Sequence, residues 1–413
     1  ENGTLSTLAT TDGGKTWTGT FTPTAGTADA SNLMSVANSY TDVAGNQGAS
    51  TASGNYAIDL KAPTATIALS DNALKAGESA TVTITFSEKV KDFSNADITA
   101  PNGTLSSFTA SADGLIWTAT FTPAVDTEAA SNTLSLGTAY TDEAGNTGTV
   151  ANATYAVDTK APVFTVQLDD ASNSAAKTDR LTNDSTPTIS GTGTTGDIIQ
   201  VTMPGTLEVL STTVAADGQW SVTPTLVIAS GNVSVTAQDA AGNTSPAQTL
   251  ALVIDTAVAT PTIALVCDSG SLGGDKVTHN GAVSSTTLES GASVQYSLDG
   301  SAWGTTFAAV EGSNTVKSRV VDAAGNEGAV STLSFTLDTQ VSKPTVSLVS
   351  DTGLAGDKIT ANGQFTVSGA DAETLLSYST NGTTWTSTYT AAEGLNNVKV
   401  RVMDAAGNQR TQD

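Results

Sequence analysis

The stretch YTDEAGN, residues 140–146, decides how the rest of the chain is read. Its last five residues recur as DVAGN at 42–46 and as DAAGN at 239–243, 322–326 and 404–408. An Asp that opens a turn can accept backbone N–H bonds two residues on, and Gly145 and Asn146 tolerate left-handed conformations. The motif therefore reads as a hairpin turn. Its acidic residue falls at 42, 142, 239, 322 and 404, at intervals of 100, 97, 83 and 82. Repetition at a fixed interval is the mark of a tandem array.

Two further markers keep step with the turn. A tryptophan precedes each one, at Trp17, Trp117, Trp220, Trp303 and Trp385. The Trp-to-Asp distance is 25 in the first two units and 19 in the other three, so a longer and a shorter subtype coexist. After each of the first four turns comes an Asp–Pro segment: AIDLKAP (57–63), AVDTKAP (156–162), VIDTAVATP (253–261) and TLDTQVSKP (336–344). These read as joints between units, short and stiffened by proline. Between markers the apolar residues alternate. In TVTITF (81–86) Val82, Ile84 and Phe86 share one face and threonines the other, as expected of a half-buried antiparallel strand. Short strands separated by turns at this density predict a β-sandwich in each unit.

In this order the motifs resemble the bacterial immunoglobulin-like repeats of giant surface adhesins secreted by Gram-negative bacteria. Residues 61–158 carry FSEKVKDFSNADITAPNGTLSSF, IWTATFTP and YTDEAGN; residues 161–255 carry LDDASNSAAKTDRLTNDSTPTISGTG and AQDAAGN; residues 261–338 and 344–413 resemble a shorter variant with DSGSLGGDKVT and VVDAAGNEG. The resemblance implies an all-β chain of tandem immunoglobulin-like sandwiches, set end to end as an extended rod. The units are 1–59 (the C-terminal part of a domain), 60–158 (long variant), 159–255, 256–338 (short variant) and 339–413 (without its last strand). Both ends read as cut from a longer chain. The implied role is a non-enzymatic stalk segment of a cell-surface adhesin, outside the cell, exported by type I secretion, for attachment to host cells or surfaces and biofilm formation. Two rivals are a module that binds glycan or protein directly and an accessory segment of a large extracellular enzyme.

In such a fold the turn between the last two strands of one unit lies beside the linker that precedes that unit. The loop after the first strand of the earlier unit approaches from the other side. Carboxylates should then converge at each joint: Asp59 with Asp142; Asp158 and Asp239 with Asp71 and Glu78; Asp255 and Asp322 with Asp169, Asp170, Asp179 and Asp184; Asp338 and Asp404 with Asp268 and Asp275. Carboxylates facing one another repel unless paired. A hard divalent cation with six to eight oxygen ligands suits such a cluster, and Ca2+ is the extracellular choice. The partners expected are thus Ca2+, the neighbouring repeats, and a host or matrix ligand bound elsewhere in the full protein.

Composition agrees with that class. Forty acidic residues face sixteen basic ones, for a net charge of −24, which disfavours nucleic acid and anionic membranes. No run of about 18 apolar residues suggests membrane insertion. The single cysteine, Cys267, excludes an intrachain disulfide and reads as a small buried residue. The single histidine, His279, is missing from the other units and is a poor candidate for catalysis. The five tryptophans read as core strand residues.

Overall fold

The computed structural model describes residues 1–413 apart from 207, 287, 288, 372 and 373. Its regular structure is almost wholly β, with one 3-10 turn at Asn95–Asp97. The second unit shows the plan most fully. One sheet runs Gly103–Leu105, Ile116–Pro123, Ala80–Phe86, Ala65–Leu69; the facing sheet runs Ile98–Thr99, Glu128–Leu136, Ala151–Asp158, Ala73–Lys75. Val82, Ile84 and Phe86 are buried and Thr81 and Thr85 are exposed, as the alternation requires. Phe121, Leu134, Leu136, Tyr155 and Val157 close the core from the other strands, and Tyr140 from the segment before the turn.

The opening segment of the unit crosses between layers. Ala65–Leu69 pairs antiparallel with Ala80–Phe86, but Ala73–Lys75 pairs parallel with the closing strand Ala151–Asp158. The same parallel closure joins Leu181–Thr182 to Gln248–Ile254 and Val277–Thr278 to Ser331–Leu337. It brings the loop between these opening strands close to the end of the unit, where the linker leaves.

The units differ in how much they bury. The third has the largest core, around Ile189, Ile199, Val201, Trp220, Val233 and Leu250. Among the described residues, the fourth gathers a core cluster of four buried residues, Val316, Leu333, Phe335 and Leu337. In the first, the strands described are short pairs such as Gly3–Leu5 with Phe21–Pro23 and Ala28–Asn32 with Tyr56–Asp59. Nothing within 1–59 supplies the layer that Ala65–Leu69 and Ala80–Phe86 form in the second unit.

This difference corrects the reading of the tryptophans as uniformly core. Trp220 is buried, and Trp117 is half-buried, edge-on to Phe93 at 5.1 Å. Trp17 is 55% exposed, since no strand covers it. In the short units the core is too small for an indole, and Trp303 and Trp385 lie under the guanidinium groups of Arg319 and Arg401, each 4.4 Å from the ring centre. Cys267 is likewise exposed rather than buried, because it follows the end of the short strand Ile263–Leu265.

Ile84→Ala should destabilise the second unit by about 2–4 kcal/mol, since it leaves a cavity in a closed core. Thr85→Ala next to it should change stability by less than about 0.5 kcal/mol. Denaturant-dependent hydrogen exchange of residues 60–158 in the whole chain measures both; equal effects would mean the face assignment is wrong.

The joint between consecutive units

Each D-x-x-G-N turn folds on the same bonds. The amide of Asp142 donates to the Asn146 carbonyl at 3.1 Å, and the Gly145 amide to the Asp142 carbonyl at 3.3 Å. The Asn146 amide donates to Asp142 Oδ1 at 2.8 Å. Gly145 has φ of 93°, where a side chain would be strained. The turns at 42, 239, 322 and 404 repeat this pattern.

The asparagine does more than turn the chain. Its side-chain amide donates one hydrogen to the turn's own aspartate: Asn146 Nδ2 to Asp142 Oδ2 at 2.7 Å. The other goes to the backbone carbonyl of the aspartate that ends the preceding unit. Asn146 reaches the Asp59 carbonyl at 3.1 Å, Asn243 that of Asp158 at 3.0 Å, Asn326 that of Asp255 at 2.7 Å and Asn408 that of Asp338 at 2.7 Å. Both donors of the amide are used. The structure thus brings together the aspartate pairs 59 and 142, 158 and 239, 255 and 322, and 338 and 404.

Each linker aspartate also folds onto its own segment. Asp59, Asp158, Asp255 and Asp338 accept, through Oδ1, the amides of Lys61, Lys160, Ala257 and Gln340, at 3.1–3.3 Å. One carboxylate oxygen is therefore committed to shaping the linker, and the second is left for the joint.

A third acid enters at the first two joints, and it was absent from the sequence reading. At the first, Glu88 joins Asp59 and Asp142, with an oxygen from each carboxylate lying within 4.8 Å of the others. Asp142 is only 1% exposed. Burial acts to raise its carboxyl, but the side-chain and backbone bonds from Asn146, with those from Gly145 and Ala144, outweigh it and hold it below the usual range. Glu88 moves the other way: burial and then the charges of Asp59 and Asp142 raise it, against a small opposing effect of Lys61. At the second joint Asp197 takes the corresponding place. It is 5% exposed, and its Oδ2 is buried with no hydrogen-bond partner. Burial and then the Asp239 charge raise its carboxyl, Asp158 adds to this, and the Thr194 amide opposes it.

At the third and fourth joints the acid in this region is turned away. Glu289 Oε1 accepts the linker amide of Ala259 at 2.8 Å. Asp371 accepts both the amide and the hydroxyl of Ser342, each at 2.7 Å, and the backbone bond first and then the hydroxyl lower its carboxyl. The linkers here have two more residues between Asp and Pro, which provides the amide to be capped.

The acids of the opening loops do not form the third corner that the sequence suggested. Among the described residues, Asp59, Glu88 and Asp142 are the one group of three such side chains this close together. Short acidic side chains in these loops cap nearby amides instead. Asp71 accepts from Ala73 at 3.0 Å, Glu78 from Lys75 at 3.1 Å, Asp169 from Ala171 at 3.0 Å, Asp179 from Leu181 at 3.1 Å and Asp275 from Val277 at 2.9 Å. Asp184 takes the Ser172 hydroxyl at 2.8 Å, and Asp268 the Gly274 amide at 2.7 Å. Asp170 offers its backbone carbonyl to Lys177 at 2.5 Å.

Sequence descriptions of the bacterial Ig-like domain match residues 1–58, 59–157 and 160–256. No curated protein matches the chain. Among solved structures, the ICAM-5 D1–D4 ectodomain fragment is 14% identical, over 84% of this chain and 98% of that one, with a TM-score of 0.32. The Yersinia pseudotuberculosis adhesin InvE is 19% identical, over 46% and 58%, with a TM-score of 0.21. The BSP domain of a biofilm associated protein is 12% identical, over 68% and 67%, with a TM-score of 0.20. None of these scores reflects a shared whole-length arrangement. The family match spans more than half of the residues, and the same turn and linker continue beyond it: the chain belongs to the bacterial Ig-like domain family.

Proposed function

We propose that this chain is a stalk segment of a bacterial cell-surface adhesin, exported by type I secretion, in which Ca2+ at the joints stiffens a rod of Ig-like units. The observation that carries this reading is the set of three carboxylates at 59, 88 and 142, within 4.8 Å of one another. Calcium–oxygen distances of about 2.3–2.6 Å put ligands on opposite sides of the ion at about that separation. The unpartnered Oδ2 of Asp197 supports the same reading at the second joint. There Asp158, Asp197 and Asp239 would hold the ion, and at the first joint Asp59, Glu88 and Asp142. Bound calcium would supply positive charge where the chain offers little. Extracellular modules bind it at about 10⁻⁴–10⁻³ M, so the joints would be filled outside the cell. The role is mechanical: each unit adds roughly 35–45 Å, from strands of about ten residues at about 3.3 Å each plus loops. A rod of this kind holds a distal adhesive domain away from the cell for attachment to a host, a surface or a biofilm.

Glu88→Gln and Asp197→Asn should each remove one bound calcium per chain in equilibrium dialysis. Asp169→Asn and Asp275→Asn should leave the count unchanged. Small-angle scattering with calcium and then with chelator should show the rod loosening; identical curves would sink the proposal.

The raised carboxyls of Glu88 and Asp197 also set a pH dependence. Between the unfolded value near about 4 and the raised folded value, the folded metal-free chain binds more protons than the unfolded one. The contribution of these two carboxyls to stability therefore falls as pH rises through that window and levels off above it. Asp197→Asn should stabilise the metal-free third unit at neutral pH by about 1 kcal/mol, since it removes a buried charged group lacking a partner. Chelator-treated thermal unfolding at several pH values tests this, and a destabilised variant with unchanged pH slope would refute it.

A further inference from the structure

The third and fourth joints carry a contact that uses no carboxylate and needs no cation. At the fourth, the Ser269 hydroxyl in the opening loop of unit four accepts the His279 amide at 2.8 Å and donates to the Ala406 carbonyl, in the D-A-A-G-N turn of unit five, at 2.6 Å. His279 Nδ1 lies 2.8 Å from the same carbonyl. Ser269 and Ala406 are both buried. At the third joint, Ser174 repeats the arrangement: its hydroxyl accepts the Asn183 amide at 3.0 Å and donates to the Ala324 carbonyl of the next turn. Ala324 is fully buried too.

The residue after the serine sits flat against the turn. Gly270 has φ of 115°, and a Cβ there would overlap the Ala405 carbonyl oxygen. The facing Gly407 is also tight, with a Cβ position 2.9 Å from the Gly270 amide nitrogen. At the third joint the small neighbours are Ala175 and Gly325. The same two joints are those where Glu289 and Asp371 cap the linker rather than face the aspartate pair. Serine hydroxyl, a small following residue (Ala175 or Gly270) and linker cap thus occur together.

We propose that the opening-loop serine and its small neighbour form a docking site for the D-A-A-G-N turn of the following unit, a latch that holds the third and fourth joints aligned without metal. The partner it recognises is a buried alanine carbonyl on a turn with no side chain bulkier than a methyl at its tip. The latch stands apart from the calcium reading, which concerns the carboxylates of the first two joints.

Unit five supplies an internal control. Thr352 accepts the Ala361 amide at 2.6 Å as Ser269 accepts that of His279, and Gly353 has φ of 113°. A Cβ at Gly353, however, meets nothing within 4 Å. Gly270→Ala and Gly353→Ala therefore impose similar backbone strain, but only the first blocks docking.

The test is a distance distribution between spin labels at T305C and S387C, in the whole chain with Cys267→Ser, measured in excess chelator. The unaltered latch should give a narrow distribution. Gly270→Ala should about double its width, since free domain motion is the default across a small polar contact. Gly353→Ala should leave it narrow, and Ser269→Ala should broaden it if Gly270→Ala does not fold. A broad distribution in the parent chain, or equal broadening by both glycine variants, would overturn the latch. Labels across the first joint, at T24C and T122C, report calcium separately. Loss of calcium dependence there would undo the metal reading and leave the latch untouched.

Discussion

The bond on which the joints depend is the one from the turn asparagine to the backbone carbonyl of the preceding aspartate. It is made at all four joints, by Asn146, Asn243, Asn326 and Asn408. A neutral amide is suited to this place. It gives one hydrogen to its own turn's carboxylate and one to the linker, so it ties two units together among acidic groups without adding charge. A lysine could supply charge, but a long flexible stem would fix no angle. Aspartate would offer no donor at all.

From that common bond the joints diverge in how they treat one extra acid. At the first two, Glu88 sits against the aspartate pair and Asp197 lies near enough to its pair to feel the charge, and their carboxyls are raised by burial and like charge. This is an uncomfortable arrangement without a cation, since a buried unpaired carboxylate costs free energy. At the last two the acid binds linker groups, and the opening loop closes on the turn through a serine. One fold thus surrounds the same turn in two ways. One leaves the extra acid facing the aspartate pair, and the other spends it on linker groups. The two linker lengths follow the same division.

Much of the fold could be read from the chain because period two is a strong signal. Val82, Ile84 and Phe86 declare their face with no knowledge of partners. The meeting of Asp59 and Asp142, 83 positions apart, was legible from topology alone. The third acid was not. Glu88 and Asp197 differ in residue type and precede their turns by 54 and 42 positions, so no repeat marks them. The opening-loop acids Asp71, Asp169, Asp179 and Asp275 cap amides two residues on, and in sequence such an aspartate looks like one aimed at a cation. The tryptophans misled because their place in the repeat is constant while the core beneath them is not. Trp220 joins a cluster of fourteen other buried residues, whereas Trp303 and Trp385 find an arginine.

The sheet order bears on how a stalk would carry load. In the second unit, Ala73, Leu74 and Lys75 pair in parallel with Ala156, Val157 and Asp158. These strands lie near the two ends of the unit, so tension along a stalk pulls them in opposite directions along their length. The hydrogen bonds between them lie across the pull and share it, rather than opening one after another. In the third and fourth units the corresponding pairs are Leu181 and Thr182 with Val253 and Ile254, and Val277 and Thr278 with Thr336 and Leu337. Both of these shorter closures end at the linker aspartate: Asp255 and Asp338 donate their amides to the carbonyls of Thr182 and Thr278 at 2.9 and 3.0 Å. The residue that receives the asparagine of the next unit is therefore also the last residue hydrogen-bonded into the shear pair of its own. In a stalk under tension, load would pass from unit to unit through a segment anchored on both sides, so a polar contact at the joint would not have to bear that tension.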